Sequence, residues 1–207
     1  MILLNIQSSP RGSKSISIAA TSAFIEAYRA AHADATVDNL NVWEENLPEF
    51  DSEAIGAKYK GVAREVMNEA ESVIWRSIQS LASRFQVADL IVIGVPMWNF
   101  AYPYKLKQLI DLVSQRNFLF TFSEGKFGPL LKTRNAVVIY SRGQTYAEHS
   151  PTPPSLLDHQ RSYIDFWLHF VGVEKTHNIF IENTWSDSEA EVLAKGKSEA
   201  IRLAEQL

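Results

Sequence analysis

Short apolar runs alternate along this chain with amphipathic stretches. The first run, Ile2, Leu3, Leu4 and Ile6, stops at Gln7. Others cover residues 90–95 (LIVIGV), 136–140 (AVVIY) and 178–181 (NIFI), with a weaker, partly alternating run over 36–42. Continuous apolar runs of this length predict strands buried on both faces of a parallel sheet. Between them, apolar residues recur at helical spacing. One helix is predicted from about Ser15 to Ala33. A long one carries Val66, Ala70, Val73, Ile74, Ser77, Leu81 and Phe85, and a shorter one Leu106, Leu109, Ile110 and Val113. Another holds Leu157, Gln160, Ile164, Trp167 and Val171, and the last Ala190, Leu193, Ala194, Ile201 and Ala204. Five strand–helix alternations predict an α/β fold, a parallel sheet with helices on both faces. Five strands favour the order 2-1-3-4-5, with ligands outside the carboxyl ends of the strands. Chemistry is therefore expected in the loops after strands one, three and four.

The first of these loops reads SSPRGSKSIS and runs into a helix. The first turn of a helix has unpartnered N–H groups, and its dipole favours an anion. Ser9, Ser13, Ser15 and Ser17 add hydroxyl donors. Neither GxGxxG nor GxxxxGK[ST] follows the strand, so the loop is neither a dinucleotide fingerprint nor a triphosphate cradle. A serine-lined loop with a single Gly suits a phosphomonoester. The alternative is a solvated connector capped by a serine.

The second loop reads Pro96-Met97-Trp98-Asn99-Phe100-Ala101-Tyr102-Pro103. Met, Trp and Phe offer polarizable surface to a planar ligand, and backbone groups can meet its polar edge. An aromatic plug over the sheet edge is the competing explanation. The third loop reads Ser141-Arg142-Gly143-Gln144-Thr145-Tyr146. Gly143 permits positive φ and close approach of backbone to a ligand; the alternative is an ordinary turn. All three loops fall at one end of one sheet, and that coincidence is more specific than any of them.

Composition narrows the rest. A length of 207 residues suits one domain spanning 1–207. Hydrophobic residues make up 46% and charged residues 21%, enough for a full core. The net charge of −4, with no Lys/Arg block, argues against nucleic acid as a partner. Cysteine is absent, which excludes thiol catalysis, disulfides and Cys-ligated metal. The five His are scattered with no pair at metal-ligand spacing, so no metal is expected. No apolar stretch approaches a membrane span, and no signal-peptide pattern opens the chain. A cytoplasmic location is the expectation. Residues 43–61 form a long acidic connector, 117–134 one rich in Phe and Gly, and 150–154 a proline-rich approach to a helix.

Taken together, these motifs resemble the FMN-dependent NADH azoreductases of the flavodoxin-like NAD(P)H:quinone oxidoreductase family, over essentially the whole chain. SSPRGSKSIS resembles the family's phosphate loop, a serine followed by S-x-S. Ser9 with Ser15 and Ser17 matches it, and Ser13 with Ser15 is the other register. PMWNF resembles the flavin loop P-M-[YW]-N-F, which implies FMN contacts from Pro96, Met97, Trp98, Asn99 and Phe100. SRGQ resembles S-R-G-G, which implies contacts from Ser141, Arg142 and Gly143. Gln144 stands where the second Gly is usual, placing a side chain where bare backbone is the rule.

The resemblance implies a flavodoxin-like three-layer sandwich, non-covalent FMN and a homodimer with its active site at the interface. It implies NADH or NADPH as donor, quinones or azo compounds as acceptors, and two-electron ping-pong hydride transfer. Trp167 and Phe122 resemble the aromatic wall facing the flavin across the dimer in relatives; plain hydrophobic core is the alternative. Tyr146 and His149, just past the Gly turn, are candidate proton or hydrogen-bond donors. The rival function is a flavodoxin-type carrier passing single electrons to a protein partner. A third is a non-catalytic flavin-sensing module.

Overall fold

The computed structural model describes residues 1–185 and 188–207. In chain order the elements are β1 (Ile2–Gln7), α1 (Ile16–Ala31), β2 (Thr36–Asn41), α2 (Ser52–Ala63), α3 (Glu69–Gln86), β3 (Leu90–Pro96), α4 (Tyr104–Val113), β4 (Phe120–Ser123), β5 (Lys126–Pro129), β6 (Asn135–Ser141), α5 (Pro154–Leu157), α6 (His159–Val171), β7 (Lys175–Ile181) and α7 (Glu189–Ala204). Five strands form one parallel sheet in the order β2-β1-β3-β6-β7. Counted within the sheet this is 2-1-3-4-5, as the alternation of patterns predicts. The order reverses between β1 and β3, and their carboxyl ends open the crevice of such sheets.

The apolar runs produce this sheet because alternate side chains point to opposite faces. Leu4, Ile6, Ile91, Ile93, Val95, Val138 and Tyr140 face α3, α4 and α6. Leu3, Leu90, Val92, Val137 and Ile139 face α1 and α7. Each central strand thus buries both faces, which is why its sequence is mostly apolar; the buried exception in β1 is Asn5, whose amide donates to Asn39 Oδ1 at 2.8 Å. Gly94 in β3 sits against α1: a Cβ there would lie 3.2 Å from the Thr21 methyl and 3.3 Å from the Ser17 carbonyl oxygen.

Several elements differ from the sequence expectation. The acidic connector holds α2, capped by Asp51, whose side chain accepts from the amides of Glu53 and Ala54. Val66 is not in the long helix. Arg64, at φ 60°, ends α2, and α3 starts after a capping box made by Asn68 and Glu71. Val66 lies between the two helices and is 93% exposed. The Phe- and Gly-rich connector folds into the antiparallel hairpin β4–β5 around Glu124 and Gly125, both at positive φ. β7 begins three residues before the apolar run. The helix expected through Leu157 breaks at Asp158 into α5 and α6. No described helix is long and apolar enough to cross a membrane, and no cluster of metal-ligating side chains occurs among the described residues.

Candidate active site

The loop after β1 makes a single 3-10 turn over Gly12–Lys14 before α1 begins. Gly12 takes φ 54°, a conformation suited to glycine. Ser15 is the N-cap: its hydroxyl accepts from the Ile18 amide at 3.4 Å and lies 3.2 Å from the Ser17 hydroxyl. Ser9, Ser15 and Ser17 are all buried, whereas Ser13 is exposed on the 3-10 turn. Two paired hydroxyls use one of their two hydrogens on each other. The second remains for an acceptor at the positive end of α1.

The loop after β3 is a tight turn. Trp98 and Ala101 exchange both backbone hydrogen bonds at 2.9 Å. Asn99 and Phe100 between them take φ 47° and 67°. Two successive positive φ values mark a type I′-like turn. Asn tolerates this; Phe does so only under strain. The turn presents Trp98 and Phe100 to solvent, with Pro96 and Met97 half-buried at its base. The Met97 amide donates to the Ser141 carbonyl, joining this loop to the end of β6. Trp43, which sequence reasoning missed, braces the turn. Its ring centroid lies 5.8 Å from that of Trp98, and its indole N–H donates to the Ser8 carbonyl.

The loop after β6 corrects two expectations. Arg142 does not present its guanidinium to a ligand. It is 3% exposed, with Nε donating to Gln160 Oε1 at 2.9 Å and Nη2 lying 2.8 Å from Asp158 Oδ2. The Nη2 contact is a charge contact, off the direction of a hydrogen bond. Its amide and carbonyl are also taken, by Ile181 and Thr184. Gly143 does not use positive φ. Its missing side chain instead admits the indole of Trp185, which a Cβ would meet at 2.3 Å. Ser141 is buried at the strand end, and Gln144 is exposed beyond it. Tyr146 is half-buried, its amide donating to Glu182. Burial raises its hydroxyl pKa, opposed by the Arg142 charge and reinforced by Asp158 and Glu182. His149 is exposed further along the loop.

Trp167 is a third correction. It is 3% exposed, packed edge-on against Phe85, with its indole N–H donating to Ser114. It is core, not pocket wall. The exposed aromatic of that turn is Phe166. Phe166 lines a cleft of about 410 Å³ with Ala101, Tyr102, His159, Ser162 and Tyr163, beside the aromatic turn. Tyr102 stacks on Tyr163 at 5.1 Å. Burial, reinforced by the neighbouring Tyr163 hydroxyl and the Asp111 carboxylate, pushes the Tyr102 hydroxyl far above its ordinary pKa, so it stays protonated. Phe122 is partly exposed on the hairpin against Phe127. A larger cleft, about 560 Å³, lies at the amino ends of the strands around Met1, Asp89 and Arg134, away from these loops.

The residues present fit FMN in chemical kind. A buried hydroxyl pair at a helix N-terminus suits the phosphate, and exposed Trp98 and Phe100 on the neighbouring loop suit a flat ring system.

A family profile described as flavodoxin-like fold matches residues 1–204. Over 204 residues, 99% of each chain, the sequence is 55% identical to a protein of Burkholderia lata named FMN-dependent NADH:quinone oxidoreductase 2. A protein of Desulfotalea psychrophila named FMN-dependent NADH:quinone oxidoreductase is 39% identical over 208 residues, 99% of this chain and 97% of that one. The chain belongs to this family of flavodoxin-like fold, among the FMN-dependent NADH:quinone oxidoreductases. The solved azoreductase of Bacillus anthracis strain Sterne superposes with a TM-score of 0.90 over the full length of both chains, at 22% identity. A second Bacillus anthracis structure, titled as an FMN-dependent NADH-azoreductase in complex with FMN, superposes equally well at 22% identity. At that identity the likeness is one of fold.

Proposed function

We propose that this chain is an FMN-dependent NADH:acceptor oxidoreductase that reduces quinones and azo compounds, acting as one FMN-binding domain over residues 1–207. The observation that carries the reading is the pairing, at one sheet edge, of the Ser15–Ser17 hydroxyls on α1 with the aromatic turn Trp98–Ala101. When bound, FMN would supply the two-electron redox chemistry that couples oxidation of NADH to reduction of the acceptor.

The chain's own residues then have separable tasks. Ser9, Ser15, Ser17 and the first amides of α1 hold the phosphate. Pro96, Met97, Trp98, Asn99 and Phe100 support the flat ring, and Ser141 and Gly143 bound its polar end. Tyr102, Tyr163, Phe166 and Phe122 give the donor and the acceptor an apolar surface that excludes water. Tyr146, its hydroxyl kept protonated, is a hydrogen-bond donor at the edge of the site. The exposed aromatic rings of Phe122, Phe127 and Phe166 support a homodimer in which a second copy covers this face. A cytoplasmic location completes the reading.

The test is an anaerobic visible spectrum of the protein with FMN, taken before and after one equivalent of NADH and again after a benzoquinone. Bleaching by NADH and recovery on quinone is the expected result. Bound flavin that NADH leaves oxidised would favour the electron-carrier function, and failure to bind FMN would remove the proposal.

A further inference from the structure

Arg142 and Gln160 form a buried polar junction at the carboxyl edge of the sheet. Four chain segments meet there. Around the guanidinium stand Gln160 and Asp158 from the start of α6, Glu182 from the end of β7 at 3.5 Å, and the rings of Phe180, Tyr146 and Tyr140 at 4.5–5.4 Å. Glu182 in turn accepts from the Thr145 hydroxyl at 2.7 Å and the Tyr146 amide at 3.0 Å. The charge of Arg142 is therefore spent within the protein.

Gln160 reaches across the junction. It has no exposed surface. Its Oε1 accepts from Arg142, and its Nε2 donates to the Val95 carbonyl at 2.8 Å. Val95 lies one residue before Pro96, where the aromatic loop departs. Arg142 lies one residue before Gly143. A buried Gln requires partners for its amide, but any nearby backbone would satisfy it. Here one partner is the next-to-last residue of β3 and the other is the first residue after β6, so a planar amide ties together the points from which the two loops flanking the proposed flavin site depart.

We infer that Gln160 is a positioning residue that sets the spacing between the loop after β3 and the loop after β6, and with it the fit of a flat cofactor between them. The inference rests on the FMN reading above. It assigns Gln160 no contact with cofactor or substrate.

Two variants separate its bonds. Gln160→Glu keeps an acceptor for Arg142 and offers no donor to Val95 when ionised. Gln160→Leu offers neither. Each apoprotein is titrated with FMN by flavin fluorescence, the spectrum of bound flavin is recorded, and the apoprotein is unfolded in urea. The expected result is an FMN Kd raised about tenfold in both, the size of a lost hydrogen bond at a charged junction, with an altered visible band. A lowered urea midpoint with wild-type Kd and wild-type spectrum would make Gln160 merely structural and overturn the inference. Wild-type protein that binds no FMN would instead overturn the functional reading. Hydrogen exchange of wild-type apoprotein supplies an arm independent of variant folding. The Met97 and Arg142 amides are expected to open together; separate openings would count against a shared junction.

Discussion

The indole N–H of Trp43 donates to the carbonyl of Ser8 at 2.9 Å. The same side chain touches Trp98 and, edge-on at 5.4 Å, Tyr104. One residue of the acidic connector thereby joins the hydroxyl loop after β1 to the aromatic turn after β3. Trp43→Phe keeps a ring but removes the donor, and Ser8 is fully buried. The expected cost is about 1–3 kcal/mol, the penalty for an orphaned buried carbonyl. Urea unfolding reads it; a wild-type midpoint would mean that the bond contributes nothing.

The two serines of α1 separate by role. Ser17→Ala is expected to weaken FMN binding by about 1 kcal/mol, a typical hydrogen bond, with little change in melting temperature. Ser15→Ala should do the same and also lose an N-cap, about 1 kcal/mol of stability. FMN titration and thermal melts on the two variants check this. Unchanged FMN affinity in both would remove the phosphate assignment.

Trp167 and Phe166 are adjacent, yet their replacement by alanine has opposite expected readouts. Trp167→Ala empties a buried site and should cost about 3–5 kcal/mol of stability. Phe166→Ala, on the solvent side, should leave stability nearly unchanged and raise KM for the quinone. Thermal unfolding beside steady-state kinetics distinguishes them, and the reverse pattern would place Trp167 in the pocket after all.

Phe100 carries the strain of its turn. Phe100→Gly creates Asn-Gly, the preferred pair for this geometry. It should raise stability by about 0.5–1 kcal/mol after the entropic cost of glycine. FMN affinity should fall, because an aromatic face is lost. A variant that is both more stable and tighter for FMN would deny Phe100 a place in the site.

Glu71 gives a pH dependence. Hydrogen bonds from Lys60 and the Asn68 amide hold its carboxyl below the usual carboxylate range. A depressed folded pKa contributes stability that is full above the unfolded value and is lost as pH falls through the folded one. Glu71→Gln should therefore melt lower at neutral pH, and its difference from wild type should shrink on acidification. A constant difference would show that the charge is not involved.

The central sheet was legible because β1, β3 and β6 are buried on both faces and their sequences are largely apolar, broken within β1 only by the buried Asn5. The motif loops were legible as well, since they lie where those runs end. α2 was not, because it buries only Ala54 and Ala57. The hairpin was not, because its strands have four residues each and are largely exposed. For Trp167 a signal existed. Ile164, Trp167, Leu168 and Val171 share one helical stripe, and Phe166 falls off it. The inward turn of Arg142 has no local signature, since Gln160, Asp158 and Glu182 are distant in sequence. The same is true of Trp43, whose partners come from two other loops.

Gly94 touches the serine loop only through its carbonyl, which accepts from the Ser8 hydroxyl at 2.7 Å, yet its missing side chain sets the seat of α1. With no side chain on β3 at that position, the helix rests on the strand at the level of Ser17, and the depth of that rest fixes how far the serine hydroxyls stand from the sheet edge. Alanine in its place would meet a backbone carbonyl at 3.3 Å and lift the helix by a fraction of an ångström. The reach of the anion site is thus calibrated by a methyl group that a neighbouring strand does not have.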